Sequence, residues 1–161
     1  MVFGTTQRDS MASPPGFLET LHKDLALALG DAVWAFARIE WAVHEYLRRL
    51  SADRLDELLG DLNFRPRTTI LRRLVERSKA VEPVKAKAIS TIGRAESLAD
   101  RRNLIVHNPW RIWIDLNASE FMTEIQKYSN PSKKIDLNAL VQFAEECGQV
   151  EQALKESLSA L

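Results

Sequence analysis

The residues best suited to chemistry are Arg102, Asn103 and His107, which stand shortly before Pro109. Histidine can accept or donate a proton near neutral pH, and arginine can hold a phosphate through two parallel hydrogen bonds. On a helix, residues four apart lie one turn from each other, so Asn103 and His107 share one side. The spacing therefore indicates acid–base chemistry, or binding, at an anionic group.

Two neighbouring arginines are predicted to have different surroundings. Arg102 falls on the apolar line of a predicted helix, whereas Arg101 is expected to point the opposite way, into solvent. Because a guanidinium keeps its proton, an arginine on a core-facing stripe needs an anionic or carbonyl partner. In one interpretation, Arg102, Asn103 and His107 border a cleft. In the other, Arg102 pairs with a carboxylate such as Glu40, and His107 caps the last carbonyl groups.

Charge is unevenly distributed, although the 161 residues have a net charge of zero. Residues 65–111 hold twelve Lys/Arg and four Asp/Glu, a net of +8, and the other residues carry −8. Such a segment is typical of proteins that bind an anionic partner such as RNA, although solvated helix faces give the same composition. The candidate substrate-binding residues are Arg72, Arg73, Arg94 and Arg101.

Other reactive centres find little support in the composition. The single cysteine, Cys147, excludes an intrachain disulfide and a cysteine-rich zinc site. Only three histidines occur, His22, His44 and His107, so we expect no metal and no cofactor. Because no apolar run reaches the roughly 20 residues that cross a bilayer, and no signal peptide is evident, we expect a cytoplasmic protein with no membrane partner.

A long first helix is predicted from Leu18 to Leu50, where apolar residues recur at helical spacing. Trp34 and Trp41, seven residues apart, lie outside its main apolar stripe. So wide an apolar surface is expected to be covered on two sides, by the bundle and by a second subunit. We therefore expect a homodimer.

The rest of the chain predicts further helices and one small hairpin. Residues 110–128 alternate in polarity and predict two strands joined at 117–119, and Asn130–Ser132 is expected to end the hairpin. We expect an all-α domain over residues 17–161, a four- to five-helix up-and-down bundle with the hairpin before the last helix, after a disordered tail at 1–16. Asp53 is predicted to cap a short helix that runs to about Leu59, and Asp136 to cap the last helix. The other predicted helices run from Pro66 to about Ala80 and from Pro83 to His107 or Asn108.

The segment from Arg102 to His107 resembles the signature of the HEPN superfamily (higher eukaryotes and prokaryotes nucleotide-binding). That signature is an arginine, four to six residues and a histidine, often with a polar residue after the arginine, here Asn103. The run from Trp34 to Val43, aromatic-rich with an internal Glu40, is also similar to small bacterial members. The resemblance covers residues 17–161 in the order of elements, but only the six positions 102–107 carry the motif.

The resemblance implies a helical dimer that brings two Arg/His motifs together in a basic cleft. Many members are metal-independent ribonucleases, often toxins with a cognate antitoxin or defence proteins, and others only bind. In a ribonuclease, His107 would move a proton at the RNA 2′-hydroxyl or the 5′-oxygen, Arg102 would stabilise the phosphate, and Asn103 would orient the phosphate or the imidazole. Two alternatives are a non-catalytic module that binds nucleic acid or protein, and a purely structural dimer.

Overall fold

Helices dominate the structure, a computed structural model that describes residues 16–51, 55–115 and 120–161. The described helices are α1 (Phe17–Leu50), α2 (Leu55–Leu59), α3 (Phe64–Arg77), α4 (Glu82–His107) and α5 (Leu137–Ser159). Between α4 and α5 lie the strands β1 (Trp110–Asp115), β2 (Glu120–Lys127) and β3 (Asn130–Asp136). The prediction of a mainly helical chain is confirmed. The predicted tail up to residue 15, the Asp53 cap and the turn at 117–119 lie outside the described residues.

The first helix runs without a break for 34 residues. Gly30 lies inside it and does not interrupt it, although glycine costs about 1 kcal/mol relative to alanine there. Phe36 is fully buried on its inner side, and its ring meets Phe64 edge-on with centroids 5.2 Å apart and stacks on Phe143 at 6.4 Å. One side chain of α1 therefore joins α3 and α5 in the centre of the core.

The relative direction of α1 and α5 follows from two contacts. Arg38 of α1 forms an ion pair with the buried carboxylate of Glu151, and the Tyr46 hydroxyl donates a hydrogen bond of 3.0 Å to the carbonyl oxygen of Lys155. The later residue of α1 contacts the later residue of α5, so the two helices run in the same direction. The ion pair with Arg38 offsets the free-energy cost of burying the Glu151 carboxylate, because an unpaired buried charge is strongly destabilising.

Helix α4 packs between α3 and α5 and also contacts α1. Arg65 near the start of α3 forms an ion pair of 2.7 Å with Asp100, whereas Arg72 further along binds Glu96 at 3.0 Å. Because the partner numbers fall as the α3 numbers rise, α3 and α4 run in opposite directions. Both flanks of α4 are therefore covered by other helices, which matters for the polar side chains at its end.

The three strands form one antiparallel sheet in the order β1-β2-β3. The two predicted strands are confirmed, but the prediction that Asn130–Ser132 ends the hairpin is wrong, because these residues begin β3. Ile135 is the buried side chain of β3 and pairs with the buried Ile125 of β2. Because β3 is a polar edge strand with one buried apolar residue, its sequence shows no alternation of polar and apolar residues. Proline is tolerated near the start of an edge strand, as Pro131 is here.

An apolar stripe is exposed along the outer side of α1. Leu27, Trp34 and Trp41, seven residues apart, are 67%, 70% and 68% exposed, and the partly exposed Val141 of α5 lies in the groove beside the first two. Large apolar side chains that recur on one helix face are typical of a surface covered by another protein. Within the described ranges, no helix has the length and apolarity needed to cross a bilayer.

Cys147 provides a test of core integrity. Its side chain is buried in α5, and burial raises the pKa of its thiol to about 12. Because the pKa in the unfolded chain is about 8.5, the thiol contributes most to stability below that pH, and the contribution is lost as the pH rises toward 12. We expect slow reaction with a thiol reagent at pH 8 in the folded protein and fast reaction after denaturation. Equal rates in the two states would contradict this burial.

Candidate active site at the end of helix α4

Asn108 ends α4 and leaves His107 free. The Asn108 side-chain amide donates a hydrogen bond of 2.9 Å to the carbonyl oxygen of Leu104, and its Oδ1 accepts one of 3.3 Å from the backbone N–H of Tyr128. The helix end is thus capped by Asn108, and not by His107 as the structural interpretation expected. The His107 side chain is exposed, and no hydrogen bond or ion pair joins it to another described residue.

Arg102 is half-buried and has no carboxylate partner in the described part of the chain. Its guanidinium lies 5.8 Å from the centroid of the Phe36 ring, and its Nη1 donates a long hydrogen bond of 3.3 Å to Oδ1 of Asn103. Glu40, the carboxylate that could have neutralised it, instead lies 3.5 Å from the guanidinium of Arg67. The positive charge of Arg102 is therefore available to an anion.

Arg67 belongs to the site although the sequence analysis missed it. Its side chain is only 14% exposed, and its Nε is buried without a hydrogen-bond partner. The signal that could have found it is periodic, because Arg67 stands three residues after Phe64 and four before Leu71, which are both buried. An arginine at such a position faces inward and needs a carboxylate, which Glu40 supplies.

The three predicted catalytic side chains, Arg102, Asn103 and His107, line one cleft of about 580 Å³. Its other walls are α1, with Phe36 and Glu40, and the segment that leads into the first turn of α3. We call it the α3 cleft. The structure thus brings together the residues that the sequence analysis singled out.

A second cleft, of about 640 Å³, lies on the other side of Asn103 and His107, between α4 and the sheet. We call it the sheet cleft. Lys127 of β2 and Lys133 of β3 line it, and neither has an ion-pair partner among the described side chains. These two lysines were not predicted as binding residues, because they lie outside the basic segment 65–111 and far from the motif in sequence. His107 therefore stands between two clefts that each contain an available cation.

The prediction that Arg101 faces solvent is wrong. Its guanidinium forms an ion pair with Glu146 of α5 and lies 5.2 Å from the centroid of the Phe143 ring. Successive helix residues are about 100° apart, so Arg101 cannot oppose Arg102, and the flank on which it lies is covered by α5. Arg101 also lines the sheet cleft, but its charge is already paired.

The other predicted substrate-binding arginines do not gather at the motif. Arg72 is paired with Glu96, and Arg73 and Arg94 are exposed on α3 and α4. None of the three is among the residues that line either cleft. Arg94 lies 13 residues before His107, which is about 20 Å along a helix. Their predicted role in binding is therefore not supported by proximity to the motif.

Electrostatics near the motif depend on which charges are already paired. Asp100 borders both clefts and accepts a hydrogen bond from Arg65, which raises the pKa of the Arg65 guanidinium, and this ion pair adds no net charge to the clefts. Arg102, Lys127 and Lys133 then remain as cations without a described counter-ion. No group of three or more His, Cys, Asp or Glu side chains suited to a metal occurs within the described ranges. The arrangement favours an anionic ligand.

Replacing Arg101 should test its structural role. Arg101→Ala removes a partly exposed ion pair and the contact with Phe143, which together contribute about 1 kcal/mol. We expect the midpoint of thermal unfolding, measured by circular dichroism, to lie about 3 °C below that of the unmodified protein. Arg94→Ala, on an exposed arginine of the same helix, should leave the midpoint unchanged. Equal midpoints for the two variants would contradict the role assigned to Arg101.

Comparison with known proteins finds no matching family model, no similar curated protein and no similar solved structure. The side chains and contacts described above therefore carry the functional interpretation.

Proposed function

We propose that this protein is a HEPN-like, metal-independent endoribonuclease that acts through His107 and Arg102. One observation carries the proposal: a half-buried arginine without a described carboxylate partner lines the same cleft as an exposed, unbonded histidine. A partly buried cation without a counter-ion loses hydration that nothing replaces, so an anion that enters the site is stabilised by it. A phosphodiester fits this requirement, because arginine binds phosphate through two hydrogen bonds.

The proposed reaction is cleavage by the RNA's own 2′-hydroxyl. The 2′-oxygen attacks phosphorus, the bond from phosphorus to the 5′-oxygen breaks, and the products end in a 2′,3′-cyclic phosphate and a 5′-hydroxyl. The proton of the 2′-hydroxyl goes to a base, and the 5′-oxygen receives one from an acid. His107 can serve either step, depending on its protonation state. Arg102 stabilises the charge that grows on the phosphate oxygens, and Asn103 orients the phosphate or the imidazole.

A homodimer completes this proposal, because two motifs would supply one histidine for each proton transfer. The exposed stripe of α1, formed by Leu27, Trp34 and Trp41, is the proposed contact surface. Phe36 and Glu40, on the inner side of the same helix, line the α3 cleft, so α1 connects the proposed contact surface to the motif. Dimers built on one repeated patch are the commonest oligomers.

The contacts of Glu40 weigh against the purely structural alternative. That alternative requires Arg102 to pair with a carboxylate such as Glu40, and the Glu40 carboxylate is used by Arg67. A non-catalytic module that binds nucleic acid or a protein such as an antitoxin remains the second candidate, because the same free cations would serve binding alone. Cleavage assays separate the two.

The catalytic assignment predicts different outcomes for three variants. His107→Ala should lower RNA cleavage by about 100-fold or more, because the proton-transfer group is lost. Arg102→Ala should do the same through loss of charge stabilisation, whereas Arg73→Ala, an exposed arginine remote from both clefts, should retain full activity. The measurement is cleavage of a labelled single-stranded RNA with EDTA present, with circular dichroism as the folding control.

Three results would overturn the catalytic proposal. Full activity of His107→Ala would remove the proposed acid–base group, and loss of wild-type cleavage on chelation would indicate a metal-dependent reaction. Tight RNA binding by a wild-type protein that cleaves nothing would favour the non-catalytic module.

The dimer proposal has its own test. Sedimentation of the unmodified protein at micromolar concentration should give a dimer, and Trp34→Glu should raise the dissociation constant by about 30-fold or more, because a charge enters the apolar contact. Leu58→Glu, on an exposed leucine of α2, is the matched control and should leave the dimer intact. A monomeric wild type would eliminate the composite site.

A further inference from the structure

The two strands β2 and β3 each bring a lysine to the cleft beside His107. The sheet cleft has a volume of about 640 Å³, within the range of about 300–1,000 Å³ that is typical of ligand sites. Lys127 and Lys133 line it from adjacent strands, opposite the α4 residues Asn103 and His107. A ligand in this cleft would therefore contact the sheet on one side and the motif on the other.

The surplus of positive charge in the sheet cleft comes from these two lysines. The other charged residues of its lining are Arg101 and Asp100, which are paired with Glu146 and Arg65. The next lysine along the chain does not contribute, because Lys134 forms an ion pair of 3.0 Å with Glu124. Two unpaired ammonium groups at one cleft attract phosphates, and each phosphate that they neutralise releases counter-ions condensed on the nucleic acid.

An exposed aromatic residue follows Lys127 in the chain. Tyr128 follows Lys127 in the turn between β2 and β3 and is 88% exposed, the largest exposure of any large apolar or aromatic side chain described. Its backbone N–H is bonded to Asn108, which itself lines the sheet cleft. Exposed tyrosine beside lysine is a favourable combination for single-stranded nucleic acid, because a base can stack on the ring while its phosphate is neutralised.

Hydrogen bonds fix the start of β3 and the end of β2, on either side of the turn that carries Tyr128. Oδ1 of Asn130 accepts hydrogen bonds of 3.3 Å from the N–H and 2.6 Å from the hydroxyl of Ser132. The side chain of Gln126 accepts a hydrogen bond of 2.8 Å from Arg111 and donates one of 3.1 Å to the carbonyl oxygen of Pro131. Fixing a binding surface in advance reduces the entropy that binding costs.

We propose that the sheet is a substrate-binding element for single-stranded RNA. Lys127 and Lys133 hold the phosphate next to the one that is cleaved, and Tyr128 stacks on the base of that nucleotide. This inference rests on the proposed ribonuclease function, which places the cleaved phosphate at Arg102 and His107. Base-paired RNA is excluded from the stacking contact because its bases are already stacked in the duplex.

Binding is tested separately from cleavage with an RNA whose 2′-hydroxyls are methylated, since the nucleophile is then blocked. Fluorescence anisotropy should show that the variant with both Lys127→Ala and Lys133→Ala binds this single strand about tenfold more weakly at low salt. The slope of log affinity against log salt should fall by about 0.7 for each phosphate that the variant no longer neutralises. The matched control replaces two exposed lysines remote from the clefts, Lys79→Ala with Lys87→Ala, and should change neither quantity.

Stacking by Tyr128 has its own pair of variants. Tyr128→Ala should weaken binding of the single strand about tenfold, whereas Tyr128→Phe keeps the ring and should bind as the unmodified protein does. Neither change should affect binding of a duplex of the same sequence. Equal weakening in both variants would show that the hydroxyl, and not the ring, makes the contact, and would overturn the stacking proposal.

The outcomes distinguish this inference from the function on which it rests. Unchanged binding in the Lys127/Lys133 variant, or equal weakening in its control, would overturn the sheet as a specific binding element even if the protein cleaves RNA. Weaker binding confined to the sheet variants would support the sheet as an RNA-binding element even if unmodified RNA is not cleaved, in which case only the catalytic proposal fails.

Discussion

The burial of α4 between α3 and α5 determines which charges near the motif can receive a ligand. Pairing stabilises a charge that is partly withdrawn from water, and most of the partly buried charges on α4 are paired. Glu96 binds Arg72, and Arg101 lies against Glu146 on the other flank. Arg102 is the exception within the described chain, with an aromatic ring and an amide oxygen as neighbours but no carboxylate. Its free charge makes it the natural place for an anion.

The end of α4 is the second constraint, and two consecutive residues set it. Asn108 uses its amide donor to cap Leu104 and its acceptor to hold the backbone of Tyr128, so one side chain both ends the helix and positions the sheet. Pro109 cannot continue the helix and keeps the residue before it extended. Because Asn108 supplies the cap, the His107 imidazole remains free of hydrogen bonds to described residues. The bond from Asn108 to Tyr128 also fixes the end of β2, so Lys127 lies at the same cleft as His107.

Local features of the fold were predictable from the sequence, and those that depend on distant partners were not. The Asp136 cap, with its hydrogen bond of 2.7 Å from the N–H of Ala139, was predicted because a cap involves neighbouring residues. β3 was missed because its polar pattern makes sense only beside β2. Arg101 was misplaced for the same reason, since its partner Glu146 lies 45 residues away. Arg102, Asn103 and His107 were found together because one helix spaces them.

The positive character of the site belongs to the fold rather than to the composition of one segment. Residues 65–111 have a net charge of +8, yet Arg65 and Arg72 are paired with carboxylates of α4, and Arg73 is remote from both clefts. Of the three cations at the motif without a described counter-ion, two come from β2 and β3, which lie outside that segment. The sheet inserted where α4 ends therefore adds positive charge to the cleft through exposed lysines, while its buried Ile125 and Ile135 belong to the hydrophobic core. The proposed proton-transfer residue, His107, and two of the proposed binding residues, Lys127 and Lys133, are thus carried by separate elements that meet at one cleft.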